Sequence, residues 1–389
     1  MSSKRKKILQ STLLAILVAG FIFLIYDLKQ EYDRKLELLA SMPISESSGA
    51  LINKSTRDLY DKIRANEFIR TLIVGDSIGQ GTGAQNADEK WFARLTSALA
   101  NEYKVTNFTT NLSRGGASVL GGWTDYNLTK TSLKDQYDLA FICFGQNDQG
   151  VLPLEIYSSI YERLIKQIKE EKGNPEIFLI IENGVGTKGY PEVMMKLAKQ
   201  YDLNIIDTRL AFQQSGYSDE ILTIDKAHPS SKGQELYYNL IIDTIHSNLQ
   251  QNKKVNYSID AKPLFVKSDE YKTFSFNNNY SIINGFSSAK GNSIGSVKGN
   301  NLETTVNGNS IGLMLMQTPT GGKFDLYVDG KFIKELDNYC PFKNINTFII
   351  GDQFAKGPHK VKIQINGNKS EEATDTSVEI IGFISNEVL

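Results

Sequence analysis

The chain contains three histidines, and only His228 stands in a polar loop with a carboxylate close by: TIDKAHPSSKG carries Asp225 three residues ahead of it. At that spacing the carboxylate can reach around the turn and accept from one imidazole nitrogen. The other nitrogen is then free to take a proton from an alcohol. The candidate alcohol is Ser77, which ends the apolar run of TLIVGDSIGQGTG just before the sequence dissolves into glycines. A serine hydroxyl is a weak nucleophile until a base removes its proton, and acyl transfer also needs donors for the oxyanion of its tetrahedral intermediate. Asn147, in GQND at 145–148, offers a side-chain amide. The segment NLSRGGAS at 111–118 offers Gly115 and Gly116, where a bare backbone N–H can approach a substrate. These residue types together point to serine-based acyl transfer.

Other polar residues nearby carry blander expectations. Asp76 is read as ordering its own loop and Asp148 as a turn or structural carboxylate, while Trp123 either lines a cleft or packs. His246, on the last helix, and His359, in a Gly-Pro-His turn, are read as structural.

Residues so far apart in sequence meet only if a sheet brings them together. From residue 70 the segments TLIVGD, YKVTNFT, DLAFICFG, EIFLIIENG and LNIIDTR are short strands, most of them apolar and β-branched. Such runs suit a parallel sheet covered on both faces. Between them lie amphipathic helices. Asn86 with Glu89 reads as a capping box, and Ile156, Ile160, Leu164 and Ile168 mark one face of a helix that stops at Gly173. The last helix runs through QELYYNLIIDTIHSNLQ. Alternating strands and helices over 66–250 predict an α/β/α sandwich with active groups at the carboxyl ends of its strands. Ser77, Asn147 and the glycines all fall at such ends.

After QQNKK the character changes to short alternating strands rich in Asn and Gly. KFDLYVDGKFIKEL reads as a hairpin turning at Asp329-Gly330, and residues 258–389 are expected to form a β-sandwich. At the other end, Lys4 to Lys7 precede an uncharged stretch from Ile8 to Tyr26. As a helix this stretch would span ~28 Å, close to the thickness of a bilayer core. No small-x-small site follows the apolar core, so an uncleaved single-pass anchor is preferred to a signal peptide. The expected order is a cytoplasmic tail over 1–7, an anchor over 8–26, a stalk and lead-in helix over 27–65, and an extracytoplasmic body. With 43 basic and 44 acidic residues, no net field favours nucleic acid. The two cysteines, Cys143 and Cys340, fall in different domains and offer no disulfide framework.

Taken in order, GDS with Ser77, a Gly block with Gly116, GxND with Asn147 and Asp-x-x-His with Asp225 and His228 resemble the block pattern of the SGNH (GDSL-type) hydrolases. The resemblance covers about 70–245 and implies a flavodoxin-like α/β/α fold and serine ester chemistry with neither cofactor nor metal. It implies Ser77 as nucleophile, His228 as base and then acid, and Asp225 as its orienter. The N–H groups of Ser77 and Gly116 and the Asn147 amide would make the oxyanion hole. Gly116 is preferred to Gly115 because it stands five residues after Asn111 and two before Ser118, the family's common spacing. Block one reads GDSIG, with Ile where the family name has Leu.

GDSIG also fits the nucleophile elbow of α/β-hydrolases, but Ser77 ends the first strand of its domain and the Asp lies three residues from the His. A phosphate-binding loop would need a Lys-Ser/Thr ending that is missing here. The leading expectation is a membrane-anchored esterase removing acetyl or another small acyl group from a carbohydrate, with a jelly-roll-like accessory domain. The first alternative is an O-acyltransferase that uses the same residues and a separate membrane acyl donor. The second is a surface glycan-binding protein whose triad is vestigial.

Overall fold

The computed structural model describes residues 57–257 and 262–387. The expected tail, anchor and most of the stalk lie outside the described residues, among which no helix is long and apolar enough to cross a membrane.

Five parallel strands form the first sheet: β1 (Ile69–Gly75), β2 (Asn107–Asn111), β3 (Leu139–Cys143), β4 (Glu176–Ile181) and β5 (Asn204–Asp207). Their order is β2-β1-β3-β4-β5, the flavodoxin-like arrangement that the sequence predicts. β3 and β4 are buried at every position, as a strand covered on both faces must be. β2, whose sequence is NFTTN, is largely polar and lies at the edge.

Helices α1 (Leu59–Arg64), α2 (Trp91–Tyr103), α3 (Val119–Thr129), α4 (Leu154–Glu171), α5 (Tyr190–Tyr201), α6 (Thr208–Gln214), α7 (Asp219–Leu222) and α8 (Ser231–Gln250) complete this domain. α1, α2 and α8 share one apolar cluster with the sheet; α3, α4 and α5 share the other. The lead-in helix α1 is bound into the body. Tyr60 Oη donates to Glu176 at 2.8 Å, and Lys62 pairs with Asp138 at 2.7 Å, both in buried surroundings. The Asn86–Glu89 capping box forms, but it opens a 3-10 turn over Ala87–Glu89, and α2 begins only at Trp91. The Ile156, Ile160, Leu164 and Ile168 face of α4 is buried, and Gly173 ends the segment at φ +80.

The C-terminal domain is a β-sandwich. One sheet runs Lys331–Asp337, Gly322–Val328, Pro358–Lys369, Asn301–Asn307 and Ile282–Asn284 in spatial order. The other is built around Asn344–Gly351, Ile311–Gln317 and Val378–Ser385. Asp329 at φ +50 and Gly330 at φ +77 make the expected hairpin turn of two positive-φ residues. The inner faces meet through Phe324, Leu326, Ile363, Leu313 and Phe383 among others. The strand IGLMLMQ is buried on both sides: Leu313 and Leu315 fill the sandwich, while Met314 joins the cluster of α3 and α4. Tyr271 and Ile384 enter that same cluster, so the two domains share one core and belong to one compact unit. Trp123 sits in this seam, 2% exposed, with its ring edge-on to Tyr271 at 5.7 Å and to Phe274 at 5.2 Å. Of its two expected positions, it takes the packed one.

Candidate active site

Ser77 stands on the turn that follows β1, between the neighbouring carboxyl ends of β2 and β3. Several bonds fix this turn. Ile78 is fully buried in the cluster of α2 and α8, and its N–H donates to Asp76 Oδ1 at 2.7 Å. Its carbonyl accepts from Trp91 Nε1 at 3.0 Å, and the Gly79 carbonyl accepts from Asn111 Nδ2 at 2.9 Å. Asp76 therefore orders the loop as expected, and Ser77 is held at 8% exposure with its hydroxyl at the cleft.

The His228 loop is a tight turn between α7 and α8. Its ends are bridged at Thr223 and Pro229, and the Ile224 N–H donates to the His228 carbonyl at 2.9 Å. Asp225 Oδ1 accepts the N–H groups of Ala227 at 3.1 Å and His228 at 2.8 Å. Asp225 Oδ2 lies 2.6 Å from His228 Nδ1, and His228 Nε2 lies 2.9 Å from Ser77 Oγ. Because Nδ1 faces a carboxylate it carries the proton, which leaves Nε2 as the acceptor for the serine hydroxyl. The His228 backbone N–H, followed by its imidazole and the Ala227 N–H, holds Asp225 below the ordinary carboxylate range. An ionised Asp225 facing Nδ1 keeps this tautomer in place.

The backbone N–H groups of Ser77, Gly115 and Gly116 meet no acceptor among the described residues. Gly116 sits at φ +71, a conformation that favours glycine. Asn147 follows β3 and reaches the same place, but both hydrogens of its amide are engaged. Nδ2 donates to Asp76 Oδ2 at 2.7 Å and to the Ala117 carbonyl at 3.2 Å. The structure brings this amide to the cleft beside Ser77, with partners that the sequence does not show. The longer bond, beside Gly116, is the one a developing oxyanion would compete for.

Several residues that position the site carried no sequence signal. Gln234, fully buried on α8, accepts from the Trp91 N–H at 3.1 Å and donates to the carbonyls of Thr82 at 3.1 Å and Pro229 at 3.3 Å. It ties the nucleophile loop to the histidine loop. A Cβ on Gly83 would stand 2.3 Å from the Pro229 carbonyl oxygen, so the two loops touch only because residue 83 has no side chain. Beneath Ser77 lie Asp76, Cys143 and Glu182, all buried and with side-chain oxygen and sulfur atoms within 4.8 Å of one another. Burial pushes Asp76 up to about 6, against opposing bonds from the Ile78 N–H and Glu182. Asp148 is fully buried, as befits a structural carboxyl. Its Oδ1 accepts the Val119 N–H at 2.9 Å, and burial pushes the group up to about 8. His246 bonds Glu102 at 2.9 Å, and His359 bonds Asp329 at 2.7 Å and the Ala355 carbonyl at 2.7 Å. Both serve the scaffold.

A cavity of about 610 Å³ opens over Ser77, Gly116, Asn147 and His228. Its far wall belongs to the β-sandwich and consists of Met316 and the segment from Phe342 to Ile345. Arg114 clamps this wall to the α/β domain by pairing with Asp125 at 2.8 Å and donating from Nη1 to the Ile345 carbonyl.

Comparison with known proteins bears on the fold and on the family of the α/β domain. A two-domain esterase active on acetylated mannans, co-crystallised with mannopentaose, superposes with a TM-score of 0.70 at 17% identity, over 84% of this chain and 93% of its own. A second crystal structure of that esterase gives 0.67 with the same identity and coverage. These two share the fold of both domains. A catalytic mutant of Axe2, an acetylxylan esterase from Geobacillus stearothermophilus, aligns over 46% of this chain and 94% of its own at 17% identity and a TM-score of 0.40. No curated protein matches the chain by sequence. Residues 73–236 match the model of the GDSL-like Lipase/Acylhydrolase family. Over the residues that carry Ser77, Asn147, Asp225 and His228, the α/β domain accordingly matches the GDSL-like lipases and acylhydrolases.

Proposed function

We propose that the protein is a carbohydrate esterase that removes acetyl or another small acyl group from a glycan, through Ser77, His228 and Asp225. The observation that carries this reading is the serine–histidine–aspartate chain of contacts opening into a cleft whose far wall is the second domain. A cleft built from two domains offers room for a polymer on either side of the reacting ester. Phe342, 64% exposed, presents an apolar ring of the kind that covers the C–H face of a sugar, with Asn344 beside it for hydroxyls. The mannan-active esterase of like architecture supports the same substrate class.

In the first step Ser77 Oγ attacks the ester carbonyl carbon while His228 Nε2 takes the serine proton. The oxyanion is met by the N–H groups of Ser77 and Gly116 and by the Asn147 amide hydrogen now turned to Ala117. As the tetrahedral intermediate collapses, the sugar oxygen leaves with the proton from His228. Water then gives a proton to His228 and attacks the acyl-serine, and as this second intermediate collapses His228 returns the proton to Ser77 Oγ and acetate leaves. The charged basic tail and the apolar segment Ile8 to Tyr26 support display of this domain outside the cell on a single-pass anchor.

The test is acetate release by the protein from acetylated mannan and xylan oligosaccharides, with Ser77→Ala and His228→Ala as controls. Loss of kcat of about 10³-fold or more in both variants is expected. Fluorophosphonate should label the wild type and leave Ser77→Ala untouched. Equal labelling of the two, or transfer of acetyl to an added oligosaccharide in place of release, would overturn the hydrolase reading.

A further inference from the structure

The mechanism leaves one group unused. Glu182 follows β4, is fully buried, and meets Asp76 from β1 and Cys143 from β3 directly under the nucleophile turn. Glu182 Oε2 accepts the Gln146 N–H at 2.8 Å, Oε1 accepts the Cys143 thiol at 3.2 Å, and its carboxyl lies within 4.8 Å of the Asp76 carboxyl. Asp76 in turn accepts from the Ile78 N–H on Oδ1 and from the Asn147 amide on Oδ2. A chain of contacts therefore runs from Glu182 through Asp76 to Asn147 and to the residue after the nucleophile.

We propose that Glu182 is a positioning residue for ester cleavage: it is a protonated acid that donates its hydrogen to Asp76. Asp76 then carries the one negative charge that aims the Asn147 amide and the Ile78 N–H beneath Ser77. The proposal rests on the reading of Asn147 as an oxyanion donor.

Two carboxylates in contact, both shut off from water, cannot both ionise. The titratable groups facing Glu182 are Asp76, Cys143, Tyr157, Tyr161 and Tyr237, and none is a cation. His228 acts on Asp76 from the cleft side and favours its ionised form. Burial and the Asp76 charge push Glu182 well above the usual carboxyl range, so the proton resides on Glu182 and the charge on Asp76. The arrangement also suits the donors: Asn147 and Ile78 give two hydrogens to Asp76, and a carboxylate accepts both better than a neutral acid does. Glu182 fixes the Asn147 loop a second time, through the backbone of Gln146.

Glutamine mimics the protonated acid, since its amide donates to Asp76 while its oxygen accepts from Gln146. The experiment measures kcat and KM of the full chain on an aryl acetate for Glu182→Gln, Glu182→Ala, Asn147→Ala and the Glu182→Ala/Asn147→Ala double variant. Glu182→Ala should lower kcat about tenfold or more with KM little changed, and Glu182→Gln should restore most of that loss. The double variant should be no slower than Asn147→Ala alone, because the two residues act in series. On the alkaline side the wild type should lose kcat as a second charge enters beside Asp76, whereas Glu182→Gln should keep it. This readout survives even if the alanine variant fails to fold.

Multiplying losses in the double variant would sink the inference and leave the Asn147 reading intact. Unchanged kcat in Asn147→Ala would sink that reading itself. A glutamine variant as slow as alanine, with wild-type activity removed by a chelator and restored by zinc, would show the three groups to be metal ligands. A melting point lowered in Glu182→Ala with kcat unchanged would reduce Glu182 to scaffolding.

Discussion

Asn344 of the β-sandwich lies against Gly116 of the esterase domain, with its side-chain oxygen 3.2 Å from where a Cβ on Gly116 would stand. The accessory domain thus touches the candidate oxyanion donor itself. Gly116→Ala would meet this contact and would also strain a residue at φ +71, at a cost of about 1–2 kcal/mol. The expected result is a fall in kcat of about tenfold or more. Adding Asn344→Ala should give back only part of it, since the backbone strain persists. Kinetic constants of the single and double variants check this.

Gly83 makes a sharper demand. It sits at φ +98, and a Cβ there would stand 2.3 Å from the Pro229 carbonyl oxygen, so Gly83→Ala is expected to shift the neighbouring His228 relative to Ser77. A loss of about 1–3 kcal/mol in stability is expected together with a fall in kcat. Thermal unfolding measured alongside turnover decides the matter; an alanine variant with wild-type turnover would mean that the histidine loop can shift without harm.

Phe342 should matter only to long substrates. Truncation to alanine is expected to raise KM for an acetylated oligosaccharide several-fold and to leave the aryl acetate constants within about twofold, because in the proposed reading the far wall meets the sugar and not the acyl group. Parallel assays on the two substrates test this, and equal effects on both would remove Phe342 from glycan binding.

Asp148 gives a pH dependence of stability. Its carboxyl is pushed up to about 8 when folded, against an ordinary value of about 3.9. The folded state therefore holds this proton more tightly than the unfolded chain. The contribution is complete below about pH 4 and is lost as pH rises towards 8. Asp148→Asn keeps an acceptor for the Val119 N–H and removes the charge. It should raise stability at pH 8 by about 1–3 kcal/mol and leave little difference at pH 4. Denaturant midpoints at the two values are the measurement.

The serine, the histidine and its aspartate were legible because their signal is local: a hydroxyl after an apolar strand, and a carboxylate three residues from an imidazole. The parallel sheet was legible because β3 is apolar throughout and β4 is apolar after its first residue. Glu182 and Gln234 were not, since each acts on residues far along the chain and nothing in ENG or KGQEL marks a buried hydrogen-bonding role. The Asn147 amide shows the same boundary: its location follows from GQND, but its engagement by Asp76 depends on how two strand ends meet. The far wall of the cleft depends on one domain docking on another, which no alternation of apolar residues encodes. The helix that seemed due at Asn86 begins at Trp91 because the indole reaches across to the Ile78 carbonyl and anchors the first turn there.

The seam around Trp123 limits how this architecture can be rearranged. A catalytic module and its appendage are often imagined as cartridges, exchangeable at a linker to retarget an enzyme to a new polymer. Here the indole closes over Tyr271 and Phe274 from beyond that linker. Cutting the chain after the last helix would leave a wet, greasy scar on the esterase, and a transplanted partner would have to be recut to fit it before any new specificity could appear.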